Sequence, residues 1–118
     1  MDNTQLIVLQ GGTFEILEND STQIQAKGEI TYLNPYFAGH FESFAVLPGV
    51  AQVELVLDLI AHSNQSPARL KSIERSKYLE PIIPGTELTL NIRKQENGAE
   101  WLFQSDQKVY SRGKLTYE

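Results

Sequence analysis

The chain has 118 residues, with 15 acidic and 10 basic side chains, a net charge of −5 and no cysteine. The negative charge argues against nucleic acid as the main partner. The lack of cysteine excludes disulfides, thiol catalysis and cysteine-based zinc sites. Because the chain has only two histidines, we expect no metal site and no cofactor. This length fits one domain, residues 1–118.

The N-terminal segment lacks the features of an export signal. Asp2 stands where a signal peptide needs a basic residue, and the apolar run Leu6–Leu9 is only four residues long. The longest uncharged stretch near the middle of the chain is also far shorter than a membrane span. We therefore expect a cytoplasmic protein with no membrane span.

The first part of the chain predicts strands. Phe14–Leu17 is a short apolar run followed by a polar turn at residues 19–21, which predicts a hairpin-like start. Gln23–Tyr32 alternates between apolar and polar residues, which predicts a half-buried strand. Its even-numbered residues share the apolar face: Ile24, Ala26, Gly28, Ile30 and Tyr32.

One long helix is predicted after residue 47. Pro48 suits the first helical position, where its missing N–H costs nothing. From Val50 to Ala61 apolar residues cover most of the circumference, which indicates a buried helix. Residues spaced four apart form one polar line along it: Glu54, Asp58 and His62.

Four strands are predicted after the helix: Leu70–Leu79, Thr86–Arg93, Glu100–Gln104 and Lys108–Tyr117. Asn97-Gly98 is a strong hairpin signal between the second and third of them. The basic residues at odd positions of the first strand are predicted to share one face: Arg69, Lys71, Arg75 and Lys77. Strands before and after one buried helix predict an α+β fold, with an antiparallel sheet wrapped around that helix.

Two motifs resemble those of a known enzyme family. Residues 34–41 read NPYFAGHF, residues 47–50 read LPGV, and Glu54 follows His40 by fourteen residues. Residues 73–90 read IERSKYLEPIIPGTELTL, with a Pro-x-x-Pro-Gly turn between two strands. In this order and spacing the motifs are similar to those of the hot-dog-fold 3-hydroxyacyl-[acyl-carrier-protein] dehydratases. The resemblance implies the hot-dog fold and the dehydration of a (3R)-hydroxyacyl thioester to the trans-2-enoyl thioester.

Dehydration needs a base for the C2 proton, an acid for the departing C3 hydroxyl and a donor for the thioester oxygen. The resemblance supports His40 as the base, Glu54 as the acid and the Gly49 N–H as the donor. A histidine pKa of about 6.5 suits the base, and an apolar channel would raise the pKa of Glu54 so that it can donate a proton. Free N–H groups at a helix N-terminus also suit Gly49 to developing negative charge.

The family resemblance also implies partners. His40 and Glu54 would come from different subunits of a dimer, with the phosphopantetheine-linked acyl chain of an acyl carrier protein in a tunnel there. Three aromatic residues near His40 either pack the loop or line that tunnel: Phe37, Phe41 and Phe44. Arg75 and Lys77 are candidates for docking an acidic carrier, although such a basic face is usually solvated sheet surface.

A helix that is apolar almost all round needs more cover than one small sheet provides. We therefore expect a homodimer with a continuous sheet, or a higher homo-oligomer. Taken alone, however, His40 is more often a structural loop histidine. Glu54 alone is more often part of the solvent-exposed line of a helix.

The chain departs from the family pattern at three places. Glu42-Ser43 replaces the Pro-Gly pair that commonly follows G-H-F, and Leu79-Glu80 replaces a pair of arginines before the Pro-x-x-Pro-Gly turn. Gln52, on nearly the opposite side of the helix from Glu54, replaces an aliphatic residue. These departures suggest a specialised member, for example in aryl-polyene or polyketide synthesis.

Two other functions stay open on this sequence. One is a hot-dog acyl thioesterase, in which Glu54 would activate water or attack the thioester. The other is a non-catalytic acyl-binding or scaffold protein that keeps the fold without turnover. The presence of both His40 and Glu54 at the family spacing favours the dehydratase over both.

Overall fold

The computed structural model describes residues 4–38 and 45–118. In these residues an antiparallel sheet of seven strands surrounds one α-helix, in the strand order β1-β2-β3-β5-β6-β7-β4. This architecture confirms the predicted sheet around a central helix. The elements are β1 Gln5–Leu9, β2 Gly12–Asn19, β3 Gln23–Glu29, a 3₁₀ turn Pro35–Phe37, α1 Gly49–Asn64, β4 Leu70–Tyr78, β5 Glu87–Gln95, β6 Gly98–Gln104 and β7 Val109–Tyr117.

The core lies between α1 and one face of the sheet. Cross-strand partners share a face of a sheet, and one row runs Ala26, Leu90, Phe103 and Ser111 across four strands. All four are 0% exposed, as are Leu55, Val56, Leu59 and Ile60 of α1. Burying each large aliphatic side chain stabilises the fold by about 1.5–3 kcal/mol.

The predicted strands before and after the helix are confirmed, with shifts at their ends. The apolar face of the predicted strand Gln23–Tyr32 is buried at Ile24, Ala26 and Ile30, but Tyr32 is 61% exposed. The reason is that β3 ends at Glu29 and the chain turns at residues 32 and 33. The predicted hairpin joins β5 to β6, but its two turn residues are Glu96 and Asn97, and Gly98 already begins β6. Asn97 is left-handed, with φ 57°.

The ends of α1 differ slightly from the prediction. Pro48 is not the first helical residue but the N-cap, with extended backbone, and its carbonyl accepts hydrogen bonds from the Ala51 and Gln52 amides. The helix continues through the polar residues 63 and 64. It ends at Gln65, which is left-handed with φ 54° and donates its N–H to the Ala61 carbonyl. Such a C-cap satisfies a terminal carbonyl of the helix.

The strand β4 forms an edge of the sheet, and all nine of its residues are exposed. The prediction that its basic residues share one face is confirmed for Arg75 and Lys77. The register with β7 shifts between Leu70 and Ser72, beside Lys71, and again between Ile73 and Arg75. Each shift is a bulge that interrupts the alternation of side chains. Arg75 and Lys77 still share a face, paired with Lys114 and Arg112 of β7.

Among residues 4–38 and 45–118, no helix combines the length and the apolar character needed to cross a membrane.

Candidate active site

Glu54 lies on the side of α1 that faces away from the sheet. Glu54 and Asp58 are exposed and His62 is half-buried, which confirms the predicted polar line. Val50, one turn before Glu54, is 61% exposed although it is apolar. The helix is therefore covered on its sheet side and open along the line that carries the candidate acid.

Tyr36 contacts Glu54 from the loop that precedes α1. The Tyr36 hydroxyl donates a hydrogen bond to the Glu54 carboxylate, and this bond raises the pKa of Tyr36 to about 12. Partial burial and the negative charges of Glu54 and Asp58 make smaller contributions to this same increase. Tyr36 therefore stays a hydrogen-bond donor to Glu54 throughout the physiological pH range.

Asp58 is the second carboxylate of this cluster. Partial burial raises the pKa of Asp58, and the negative charge of Glu54 one turn away raises it further. Like charges four residues apart on a helix repel one another. The open side of α1 thus concentrates negative charge around Glu54 and Asp58.

A chain of hydrogen bonds fixes the position of Tyr36. Asn34, which is 2% exposed, accepts the Tyr36 N–H at 2.9 Å. The Asn34 side-chain nitrogen donates to Gln10 Oε1 at 2.8 Å, and Gln10 Nε2 donates to the Ala51 carbonyl oxygen at 2.9 Å. The loop that carries Tyr36 is therefore tied to the same helix that carries Glu54.

The N-terminus of α1 presents the candidate oxyanion donor. Among the described residues no hydrogen-bond acceptor pairs with the Gly49 N–H. A side chain at Gly49 would place its Cβ 2.8 Å from Cζ of Tyr78, so glycine is what allows the Tyr78 ring to lie there. The helix start, Tyr78 and residues 79–82 line a cavity of about 330 Å³. Gly49 is thus accessible from a space large enough for part of a ligand.

His40, Phe41 and Phe44 lie outside the described residues. Phe37 is 5% exposed and belongs to the core, as the packing interpretation of this residue predicts. Its role in a tunnel stays a prediction. Within residues 4–38 and 45–118, no three acidic or histidine side chains are grouped closely enough to hold a metal ion.

The outer face of the sheet carries the candidate docking residues. Arg75 and Lys77 line a cavity of about 580 Å³ together with Arg112 and Glu100. Arg75 lies 3.9 Å from the Glu100 carboxylate, but its side chain is 70% exposed. An ion pair this exposed contributes little to stability. The basic side chains are therefore available to a negatively charged partner.

Sequence reasoning did not single out Tyr36, Asn34 or Gln10. A signal for Asn34 was present, because asparagine before proline is a typical N-cap and Asn34 caps the 3₁₀ turn. Nothing in the sequence indicates that Gln10, at the end of the first strand, reaches Ala51 of the helix. That contact joins residues 41 positions apart.

The sequence matches a known protein family over most of its length. The ApeI-like family, described as ApeI dehydratase, matches residues 16–114. A 3-hydroxyacyl-[acyl-carrier-protein] dehydratase FabZ from Rhizobium johnstonii is 30% identical over 101 residues, and one from Solibacter usitatus is 33% identical over 86 residues. These alignments cover 79% and 66% of this chain. The chain spans 64% and 53% of the lengths of these two relatives.

Solved structures agree with the fold. The dehydratase heterocomplex ApeI:P from Xenorhabdus doucetiae has a TM-score of 0.74 and 25% identity, with 86% of this chain and 95% of that chain covered. Zebra fish thioesterase superfamily member 2 has a TM-score of 0.64 at 14% identity, with 88% and 80% covered, and so shares the fold alone. Both similarities confirm the predicted hot-dog fold.

Proposed function

The chain belongs to the ApeI-like dehydratase family, and we propose that it dehydrates a (3R)-hydroxyacyl thioester in fatty-acid or aryl-polyene synthesis. The observation that carries the proposal is the placement of Glu54. It lies on the open side of α1, held by the Tyr36 hydroxyl, and outside the core. A carboxyl group placed in this way is accessible to a substrate that arrives from outside the chain.

The proposed reaction divides between three groups. His40 takes the proton from C2, and the electron pair of that C–H bond forms the C2–C3 double bond. The C3–O bond breaks, and the hydroxyl leaves as water with a proton from Glu54. The Gly49 N–H, at the positive end of the α1 dipole, stabilises the negative charge that develops on the thioester oxygen.

The test follows loss of water by mass from a 3-hydroxyacyl carrier-protein thioester. We expect His40→Ala and Glu54→Gln each to lose at least ~100-fold in rate, as removal of a general acid or base typically does. Asp58→Asn is the matched control, because it removes the other carboxylate of the same polar line. Release of a free acid would instead support the thioesterase alternative, and binding without turnover would support the scaffold alternative.

A homodimer is part of the proposal, because this chain leaves apolar surface open next to the candidate site. Val50 and the β4 residues Leu70, Ile73 and Tyr78 are 42–61% exposed. An edge strand with unpaired backbone groups readily pairs with a second copy. Pairing through β4 would extend the sheet and bring a second subunit to the open side of α1. The ApeI of Xenorhabdus doucetiae is itself described in a heterocomplex.

Light scattering tests the dimer. We expect wild type to be a dimer and Ile73→Asp to be a monomer, because the variant puts a charge in place of an exposed apolar side chain of the proposed interface. Leu6→Asp is the matched control, since Leu6 is 61% exposed on β1 at the opposite edge. A monomeric wild type would contradict this assembly, and so would equal dissociation by both variants.

We further propose that the substrate is carried on an acyl carrier protein that docks at Arg75 and Lys77. Their cavity also contains Arg112, so positive charge is concentrated on the outer face of β4 and β7. Positive potential of this kind increases the association rate with an acidic partner.

Charge reversal tests the docking surface. Arg75→Glu with Lys77→Glu is expected to weaken carrier binding at low salt. Lys27→Glu with Arg93→Glu changes the net charge by the same amount at exposed positions of β3 and β5. If both double variants weaken binding equally, net charge rather than this surface controls the interaction.

A further inference from the structure

Gln52 carries a buried acceptor without a donor. Its side chain is 3% exposed, on the side of α1 that faces the sheet. Gln52 Nε2 donates to the Leu47 carbonyl oxygen at 3.2 Å, whereas Gln52 Oε1 has no hydrogen-bond partner among the described residues. Buried polar atoms are normally paired, because an unpaired one loses its hydration without compensation.

Flipping the Gln52 carboxamide, which exchanges its oxygen and nitrogen, would not give the oxygen a hydrogen-bond donor. The Leu47 carbonyl can only accept, so it requires the nitrogen of Gln52. The Leu47 N–H is also occupied, since it donates to the Ile82 carbonyl at 2.7 Å. The contact with Leu47 therefore fixes the orientation of the carboxamide and leaves Oε1 to a donor from elsewhere.

Gln52 lines the cavity of about 330 Å³ at the start of α1. Residues 46–49 and Gln52 form one wall, and residues 78–82 form the other. Gly49 and Gln52 are three residues apart, so they lie on neighbouring positions of one helix face. One cavity is thus lined by two residues that each carry an unpaired polar group among the described residues, the N–H of Gly49 and the buried Oε1 of Gln52.

We propose that Gln52 Oε1 accepts a hydrogen bond from the amide N–H of the cysteamine part of a pantetheine thioester. This inference rests on the proposed function, in which the Gly49 N–H binds the thioester oxygen. Two methylene groups separate the sulfur from the amide N–H, so a thioester bound at Gly49 carries its amide toward Gln52, a neighbour on the same helix face. Gln52 is then a specificity residue that recognises the thiol arm rather than the acyl chain.

Binding of unreactive probes tests the assignment without requiring turnover. Hexanoyl-N-acetylcysteamine contains the thioester and the amide N–H, and its matched analogue has a methylene group in place of that N–H. Titration calorimetry with wild type is expected to give about tenfold tighter binding of the amide, the upper range for one net hydrogen bond. Equal affinities, or no binding of either probe at millimolar concentration, would overturn the assignment.

Two variants locate the acceptor. Gln52→Met keeps the length of the side chain but removes the acceptor, so it is expected to bind both probes with the same affinity. Gln25→Met is the matched control, because the Gln25 side chain also donates a hydrogen bond, to Asn91, but does not line the cavity. It is expected to keep the tenfold preference. If Gln52→Met keeps it too, the amide is recognised at another residue.

A second measurement keeps the test independent of how well Gln52→Met folds. In the probe labelled with ¹⁵N at its amide, binding to wild type is expected to shift the amide proton downfield and slow its exchange with water. An unchanged shift and exchange rate in the bound probe would overturn the proposal. Hexanoyl-coenzyme A and hexanoyl carrier protein contain the same pantetheine arm. Their relative affinities for wild type show whether coenzyme A or a carrier protein supplies it.

The outcomes also separate this inference from the proposed function. A protein that prefers the amide but does not dehydrate any 3-hydroxyacyl thioester retains the Gln52 assignment and loses the dehydratase proposal. A protein that dehydrates its substrate without any preference for the amide loses the Gln52 assignment alone.

Discussion

The two sides of α1 differ in what they contact. On the side that faces the sheet, Leu55, Val56, Leu59 and Ile60 are fully buried. On the open side, Glu54 and Asp58 are exposed. Glu54 accepts a hydrogen bond from Tyr36, and the two carboxylates repel one another. One helix thus separates the residues that stabilise the fold from those available for chemistry, and substitutions on its two sides should affect different properties.

The largest effect is expected at two adjacent residues, Leu55 and Glu54. Leu55→Ala should lower the free energy of unfolding by about 2–5 kcal/mol, because it leaves a cavity in the core. The folded fraction should keep its activity. Glu54→Gln should instead leave the free energy of unfolding within about 0.5 kcal/mol of wild type, since the side chain is exposed.

Urea unfolding measures the stability of both variants, and the dehydration assay measures their activity. A Glu54→Gln protein that is as unstable as Leu55→Ala would mean that Glu54 serves mainly the fold. The distinction between the two sides of α1 would then not hold.

A matched pair of valines gives the next largest effect. Val53 is 3% exposed and Val50 is 61% exposed. Val53→Ala removes two buried methyl groups and should cost about 2 kcal/mol by transfer and cavity terms, whereas Val50→Ala should cost less than about 0.5 kcal/mol in an isolated subunit. Thermal unfolding over a range of protein concentrations measures both. If the stability lost in Val50→Ala grows with protein concentration, a second subunit covers the open side of α1.

The sequence predicted the sheet-facing side of α1 better than the open side. Apolar periodicity identified the helix, and alternation identified β3, because both patterns reflect burial against one layer. The register shifts in β4 were not predictable, since a bulge depends on how the strand pairs with β7 and not on its own alternation.

The candidate site was predicted only where residues lie close in sequence. The motif and its spacing predicted Glu54 and Gly49 as site residues, and these two belong to one helix; both roles stay predictions, as does that of His40, which lies outside the described residues. The partners of these residues come from distant segments: Tyr36 from the preceding loop, Gln10 from the end of β1 and Tyr78 from the end of β4. Such contacts arise from the wrapping of the sheet around α1, and no local pattern encodes them.

A smaller effect is expected from Tyr36→Phe, which removes the donor to Glu54. We expect activity to fall by about fivefold to tenfold, as for the loss of one hydrogen bond of ordinary strength. Because folding raises the pKa of Tyr36 from 10.0 to about 12, its protonated form favours the fold. That contribution is fully present below pH 10 and is lost as the pH rises through about 12.

Tyrosine absorbance and urea unfolding measured against pH test this prediction. Wild type should contain a tyrosine that ionises near pH 12, and the variant should lack it. Between pH 10 and 12 the stability of wild type should also fall more steeply than that of the variant. Tyr32→Phe is the control, because it removes an exposed tyrosine elsewhere in the chain.

Asp58→Asn is expected to have the smallest effect on stability, and this effect is an increase. Partial burial and the charge of Glu54 raise the pKa of Asp58, so its charged form disfavours the fold and its protonated form favours it. The favourable contribution is present below pH 3.8 and is lost as the pH rises through the folded pKa. At pH 7 the variant should therefore be more stable by a few tenths of a kcal/mol, the size of one like-charge pair on a helix, and this gain should vanish below pH 3.8.

Asp20→Asn provides the contrast in the turn between β2 and β3. Hydrogen bonds from Thr22 and Gln23 lower the pKa of Asp20, so its charged form favours the fold, and this variant should lose stability at pH 7. If both variants lose stability in urea unfolding at pH 7, the carboxylate of Asp58 makes a favourable contact in the assembled protein. A second subunit that places a cation against the open side of α1 would provide such a contact. In that case, Asp58→Asn should again increase stability at pH 7 once Ile73→Asp has dissociated the dimer.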